Sequence, residues 1–214
     1  MAPKLGLGFG SVLILVVVLG LVSSVQLSRI NSGTVDIATN WLPRVQAIAE
    51  LRLDAAEVRN DTLNYMIATD KKQHYDDRII SELSAMADGE KKYGPLLSSD
   101  EERKLYQGFR DRWDKYLAVN TQVMELSRQN KTREAIDLAQ SRASQLFEEA
   151  TKYLQEGLEF SDKGVANAAK NAAEAYWSSR YWVVGISIGA IALGFIIVLT
   201  MRAHSPHPSP RCWP

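Results

Sequence analysis

One stretch limits what this chain can fold into more than any other. The 21 residues from Tyr181 to Met201, YWVVGISIGAIALGFIIVLTM, carry no charge and lie between Arg180 and Arg202. As a helix rising about 1.5 Å per residue, the run covers the roughly 30 Å hydrocarbon layer of a bilayer. Trp177, Tyr181 and Trp182 gather at its N-terminal end, where amphipathic rings favour the headgroup region. A buried helix of a soluble protein rarely goes about 20 residues without a charged position, so the run reads as a membrane span. Residues 5–28 are a second uncharged segment. A secretory signal competes there, but its apolar region is usually about 7–15 residues, and no A-x-A cleavage site is evident. The expectation is two spans, 5–28 and 181–201. Lys4 and Arg202 mark the cytoplasmic side, so residues 1–4 and 202–214 lie inside and residues 29–180 outside.

The charges support one polar module between the spans. All 25 acidic residues and 22 of the 25 Lys and Arg fall within 29–180, leaving no broad basic surface for nucleic acid. A single cysteine, Cys212, forms no internal disulfide and cannot build a structural zinc site.

Within 29–180 the pattern is helical, with sparse glycine and proline and no period-2 alternation. The first helix is expected to run from the membrane to about Thr69, kinked near Pro43. Its seam is read as Trp41, Val45, Ile48, Arg52, Ala55, Arg59, Thr62, Met66 and Thr69, widened by Leu51, Val58 and Tyr65. Asp70 with Gln73 resembles a capping box opening a second helix to about Tyr93, which Gly94-Pro95 ends. Ile79 or Ile80, Leu83 and Met86 or Ala87 form its stripe. Ser98 and Ser99, with Glu101 and Glu102, make two overlapping boxes for a third helix to about Gln129. Its inner face is Leu105, Phe109, Trp113, Tyr116 or Leu117, Asn120, Val123 or Met124 and Ser127. Thr132 is the expected N-cap of a fourth helix, lined by Ile136, Ala139, Ala143, Leu146, Ala150, Tyr153, Gly157 and Phe160. Four helices with short turns imply an all-α, antiparallel, up-down-up-down four-helix bundle flanked by two transmembrane helices.

The segment TVDIATNWLPRVQAIAELR, notably Asn40-Trp41-Leu42-Pro43, resembles the start of the first bundle helix in bacterial methyl-accepting chemotaxis proteins of the four-helix-bundle sensor class. Ala68-Thr69-Asp70 looks like that family's first turn, and the likeness covers residues 1 to about 202. The resemblance implies an inner-membrane receptor sensing a periplasmic solute and controlling a histidine kinase through an adaptor. Such a receptor continues into a HAMP linker and a methylated cytoplasmic coiled coil. Here the chain reads MRAHSPHPSPRCWP after the second span, so a receptor truncated after about Arg202, with a short proline-rich tail, is the expectation.

Enzymatic motifs do not stand out. No Glu-x-x-His pair, H-E-x-x-H, P-loop, Rossmann glycine pattern or G-x-S-x-G occurs. His74 reads as a solvated helix residue, and His204, His207 and Cys212 belong to the tail. No cofactor or metal is expected. The arginines carry the candidate chemistry, because a guanidinium fork matches a small carboxylate in bidentate geometry. Arg52 and Arg59 fall seven apart on the first-helix seam, where apolar residues are expected. They either snorkel to water or pair with a carboxylate, or line a recess for a small organic acid or amino acid. Counting back from the turns sets Arg59 level with Arg78, Tyr116 to Asn120, and Arg142, with Asp54, Glu57 and Asp61 near enough to offset the charge. Gly6-x-x-x-Gly10 and Gly185-x-x-x-Gly189 allow close helix approach in the membrane. The partners expected are a second copy or full-length receptors in mixed assembly. Two function classes remain: a chemoreceptor sensor, or a membrane-anchored helical interaction module without a small ligand. The sensor half of a histidine kinase or cyclic-nucleotide enzyme shares the same architecture.

Overall fold

A computed structural model describes residues 2–203. The side-chain surroundings of residues 1–9, 11, 12, 197, 198 and 200–214 lie outside that description, and with them Gly6 and the proline-rich tail. Every long element is helical: α1 (Ala2–Asp36), α2 (Leu42–Ile67), α3 (Lys72–Tyr93), α4 (Asp100–Arg128), α5 (Thr132–Leu138) and α6 (Ser144–Ala203). The chain divides into two compact units, one formed by residues 35–168 and the other by the first 34 residues with those from 169 onward.

The bundle unit is an antiparallel four-helix arrangement, and the cross-helix contacts give its topology. Asp61 meets Arg78 and Leu51 faces Gly89, so α2 and α3 run in opposite directions. Asp76 meets Arg128 while Glu90 meets Arg110, which makes α3 and α4 antiparallel. Gly108 faces Tyr153 and Tyr116 faces Phe147, which does the same for α4 and α6. Arg59 reaches Ser144 and Ile48 reaches Gly157, closing the ring between α6 and α2. The core is Ile48, Leu51, Ala55, Val58 and Tyr65 of α2 against Phe109, Trp113 and Tyr116 of α4 and Leu146, Ala150 and Leu154 of α6. Phe109, Trp113 and Tyr116 stack along α4, with ring centroids 6.1 Å and then 4.8 Å apart.

Several local expectations are corrected. Helix α3 begins at Lys72, with no side-chain cap at its N-terminus. Gln73 donates to Asp77, so no Asp70–Gln73 box forms. The helix start is tied down instead by the Lys72 ammonium, which donates to the Ser127 carbonyl (2.7 Å) and hydroxyl (3.0 Å). At α4 one capping box forms, between Ser99 and Glu102, and Ser98 donates to the same Glu102 oxygen. The turn after α4 is a Schellman closure. Asn130 takes the left-handed conformation (φ 61°), its N–H reaches Ser127, and that of Lys131 reaches Leu126. That closure sets the next helix start, so Thr132 is its first residue and not its cap.

Two π-helical turns interrupt the helices, Ile37–Trp41 and Ala139–Ala143. The first lies just before Pro43, where Leu42 N–H bonds back five residues to Ile37. A wide turn there absorbs the hydrogen bond that proline cannot make. The second carries one extra residue, and Ser141 Oγ donates to the Asp137 carbonyl at 2.6 Å inside it. Ala135, Leu154 and Ser161 are buried on α5 and α6, where Ile136, Tyr153 and Phe160 were expected. Tyr153 and Phe160 sit half-buried at the margins, over Gly108 and against Trp41.

A π-turn behaves as a one-residue insertion, so deleting exposed Gln140 should restore an α-helix while both flanks keep their packing. Thermal unfolding of the Gln140 deletion is expected within a few degrees of wild type. Deletion of Glu148, in regular helix, rotates every later side chain by about 100° and should abolish cooperative unfolding.

Two helical stretches, Leu13–Ile67 and Thr132–Ile196, are long and apolar enough to cross a membrane, and their apolar windows are unburied. Among the described residues, added Cβ atoms at Gly10, Gly185 and Gly189 would meet nothing within 4 Å.

Candidate functional site

Arg59 sits half-buried on the side of α2 that faces α6. Its Nη2 donates to Ser144 Oγ at 3.0 Å, and its guanidinium carbon stands 4.5 Å from the centre of the Phe147 ring. Ser144 passes its own hydrogen bond to Glu148 Oε1 at 3.1 Å. The Tyr116 ring lies edge-on to Phe147, 5.5 Å between centroids. Burial pushes the Tyr116 phenol far above its usual range, with the Arg59 charge acting in the opposite sense.

Arg59 differs from the other arginines that bridge the helices. Arg44 faces Glu102, Arg78 holds Asp61 and Glu57, Arg110 meets Glu90, Arg112 meets Glu149, and Arg128 meets Asp76. Among the described residues no carboxylate comes within ion-pair distance of Arg59. Its hydrogen-bond partner is a neutral hydroxyl, and its flat face rests on an aromatic ring. That leaves most of a five-donor fork unused beside apolar surface, where an anion would be weakly screened and strongly held.

The other candidate residues are dispersed around this point. Asn120, buried, donates to Thr62 Oγ1 at 2.9 Å. Arg78 bonds Asp61 at 2.7 Å and Glu57 at 3.3 Å, so two of the acids expected to offset a cluster of arginines serve Arg78. Arg52 is exposed, and Arg142, also exposed, donates to Gln145. The structure thus groups Arg59 and Tyr116 around Phe147, sets Asn120 in a separate buried pair, and leaves Arg52, Arg78 and Arg142 on other partners or in solvent. Ser144 and Phe147 were not singled out from sequence. A serine beside a seam and a phenylalanine one step off it carry no signal until α6 is placed against α2.

A second polar node lies between α2 and the α3–α4 turn. Glu102 and Arg44 are both buried, with Nη1 and Oε1 3.5 Å apart. Glu102 Oε2 accepts from the N–H and hydroxyl groups of both Ser98 and Ser99 at 3.0–3.2 Å, whereas Oε1 and Arg44 Nε have no hydrogen-bond partner among the described residues. Arg44 also lies over the Trp41 ring at 4.8 Å, and a Cβ on Gly164 would collide with that ring. This node clamps Trp41, α4 and α6 together.

Asp54 supplies a titration check on this face of α2. Burial holds its carboxyl above the usual carboxylate range, Glu82 and Glu50 add to the effect, and Lys92 opposes it. A raised folded value means that Asp54 favours the folded state below the usual carboxylate range, and that this contribution is lost as pH rises through the folded value. Asp54→Asn is therefore expected to raise the unfolding temperature at pH 7 and to give no such gain at pH 3.

With this geometry in view, comparison with known proteins places the class. Residues 1–176 match the model of the four helix bundle sensory module for signal transduction, and the chain belongs to that family. It is also similar to the sensory transducer protein YvaQ of Bacillus subtilis (strain 168), 22% identical over 211 residues. That match takes in 96% of this chain and 36% of YvaQ, so the chain spans about a third of the relative's length. No solved structure matches it.

Proposed function

We propose that this chain is the sensing part of a chemoreceptor-type transducer in the bacterial inner membrane. Residues 181–201 and 5–28 span the bilayer, the bundle lies on the periplasmic side, and a small organic acid or amino acid binds through Arg59. Binding displaces α6, which is continuous with the second apolar span, and that displacement is the signal. The module acts as a homodimer or in mixed assembly with longer receptors of its class. The observation that carries this reading is the half-buried, carboxylate-free Arg59 between α2 and α6, held by Ser144 and Phe147.

The test is thermal unfolding of the full chain in detergent or lipid discs against a panel of organic acids and amino acids. A ligand that binds only the folded state adds about 2.7 kcal/mol at 100 times its dissociation constant, several degrees for a unit of this size. One acid is expected to give that shift, and Arg59→Ala to lose it with the unliganded unfolding temperature little changed. No shift across the panel would instead favour a helical interaction module without a small ligand.

A further inference from the structure

The inward face of α6 loses its bulk toward the end of the bundle unit. Leu146, Ala150 and Leu154 give way on that face to Gly157, Ser161, Gly164 and Ala168. Large side chains of α2 lie against the two glycines, but on different terms. A Cβ added to Gly157 would stand in ordinary contact, 3.6 Å from Ile48 Cδ1 and 3.9 Å from the Tyr93 hydroxyl. A Cβ added to Gly164 would run into Cε3, Cζ3 and Cη2 of the Trp41 indole. The ring edge therefore rests on bare backbone, in a notch that exists because residue 164 is glycine. Ser161 and Ala168, both buried, share this face three residues before and four after. Their Cβ groups bound the notch about 4.5 Å and 6 Å away along the helix axis.

The indole is held where it is. Its Nε1–H donates to Asp36 Oδ2 at 2.9 Å, and the other oxygen of Asp36 accepts from Asn40. The Arg44 guanidinium covers the ring at 4.8 Å, and Arg44 is itself buried against Glu102, which the Ser98–Ser99 turn holds. Phe160 lies beside the ring, 6.2 Å between centroids. The ring thus belongs to α2 and α4, and the notch belongs to α6. An axial move of α6 in either direction drives a Cβ wall toward a ring that cannot easily yield. Close-packed contacts of this kind settle into discrete arrangements and do not deform continuously.

We propose that Trp41 seated at Gly164 is a detent that sets the axial position of α6 against α2. The contact fixes the resting state, and leaving the notch is the barrier to any displacement. The inference shares with the proposed function the premise that α6 moves against α2, and it needs no anion at Arg59.

The test measures the resting position with no ligand present. Spin labels at Asn60→Cys and Glu159→Cys, both exposed, are placed in the full chain in lipid discs with Cys212→Ser. The two positions are offset along the bundle, so an axial slide changes their separation directly. Gly164→Ala is expected to shift the distance by on the order of 1–2 Å. Gly157→Ala, the same change on the same face, is expected to leave it unchanged. In a Trp41→Ala background, Gly164→Ala should produce no further shift, because the ring it displaces is gone. Thermal unfolding checks that each variant is folded, and Trp41→Leu serves where the alanine variant does not unfold cooperatively. An unchanged distance in folded Gly164→Ala, an equal shift in Gly157→Ala, or a Gly164→Ala shift that persists without the indole would overturn the detent. A shift in Gly164→Ala in a protein that no acid displaces would leave the detent standing and sink the sensing of small acids alone.

Discussion

Replacing Glu102 with alanine is expected to destabilise the bundle by about 3–5 kcal/mol, lowering its unfolding temperature by about 10–20 °C. Two losses combine. The Arg44 guanidinium is left buried without its counter-charge, and the N–H and hydroxyl groups of Ser98 and Ser99 lose their shared acceptor at the start of α4. The cause can be separated from a general loss of packing. In Arg44→Met/Glu102→Gln the charge is gone from both sides and an amide oxygen still accepts from the turn. That double variant is expected within about 1 kcal/mol of wild type, because a buried pair replaced by uncharged groups costs little. Glu102→Gln alone, with Arg44 intact, should fall close to the alanine variant. Denaturant unfolding of wild type, Arg44→Met, Glu102→Gln and the double variant completes the cycle, and additivity of the two single changes would show that the pair is not coupled.

Trp113→Ala is expected to have an effect of the same size, about 3–5 kcal/mol, for a different reason. Trp113 is buried between Phe109 and Tyr116 in the aromatic column of α4, and its removal leaves a cavity that stacked rings cannot easily collapse to fill. Trp177 and Trp182 are exposed, and alanine at either should leave bundle unfolding unchanged. Urea titration with matched slopes distinguishes lost packing in the folded state from a changed unfolded state.

The helices differed in how much of their packing the sequence revealed. The inner face of α4 was legible almost residue by residue, because Phe109, Trp113, Tyr116, Asn120, Val123 and Ser127 are its one apolar or partnered stripe and charges fill the rest. On α2 the seam was read in part: Ile48, Ala55, Thr62 and Met66, with Leu51, Val58 and Tyr65 beside them, are buried, whereas Trp41, Val45 and Arg59 are half-buried and Arg52 and Thr69 exposed. Two apolar stripes run along that helix, one into the core through Leu51, Val58 and Tyr65 and one outward through Leu53 and Leu63. A periodicity count averages them and lands on the boundary, where Arg52 and Arg59 sit. That boundary position explains Arg59 itself, which is too far from the core centre to be fully enclosed and too far from solvent to be free. Its partners Ser144 and Phe147 were illegible because the wide turn at Ala139–Ala143 resets the register of the helix that carries them. Caps followed the same logic. Ser99 and Glu102 satisfy each other locally, whereas the start of α3 depends on Lys72 reaching α4, a contact no local motif announces.

Under the proposed function, the bundle responds to a bound anion by moving α6 relative to α2. The most direct test places spin labels at Gln46 on α2 and Lys163 on α6, both exposed, in the full chain with Cys212→Ser. Pulsed electron–electron distance measurement is then made with and without the acid selected by the thermal panel. The prediction is a reproducible displacement on the order of 1–2 Å, absent in Arg59→Ala. A distance distribution unchanged at saturating ligand, with binding confirmed in the same sample, would contradict the claim and reduce the bundle to a binding module that transmits nothing.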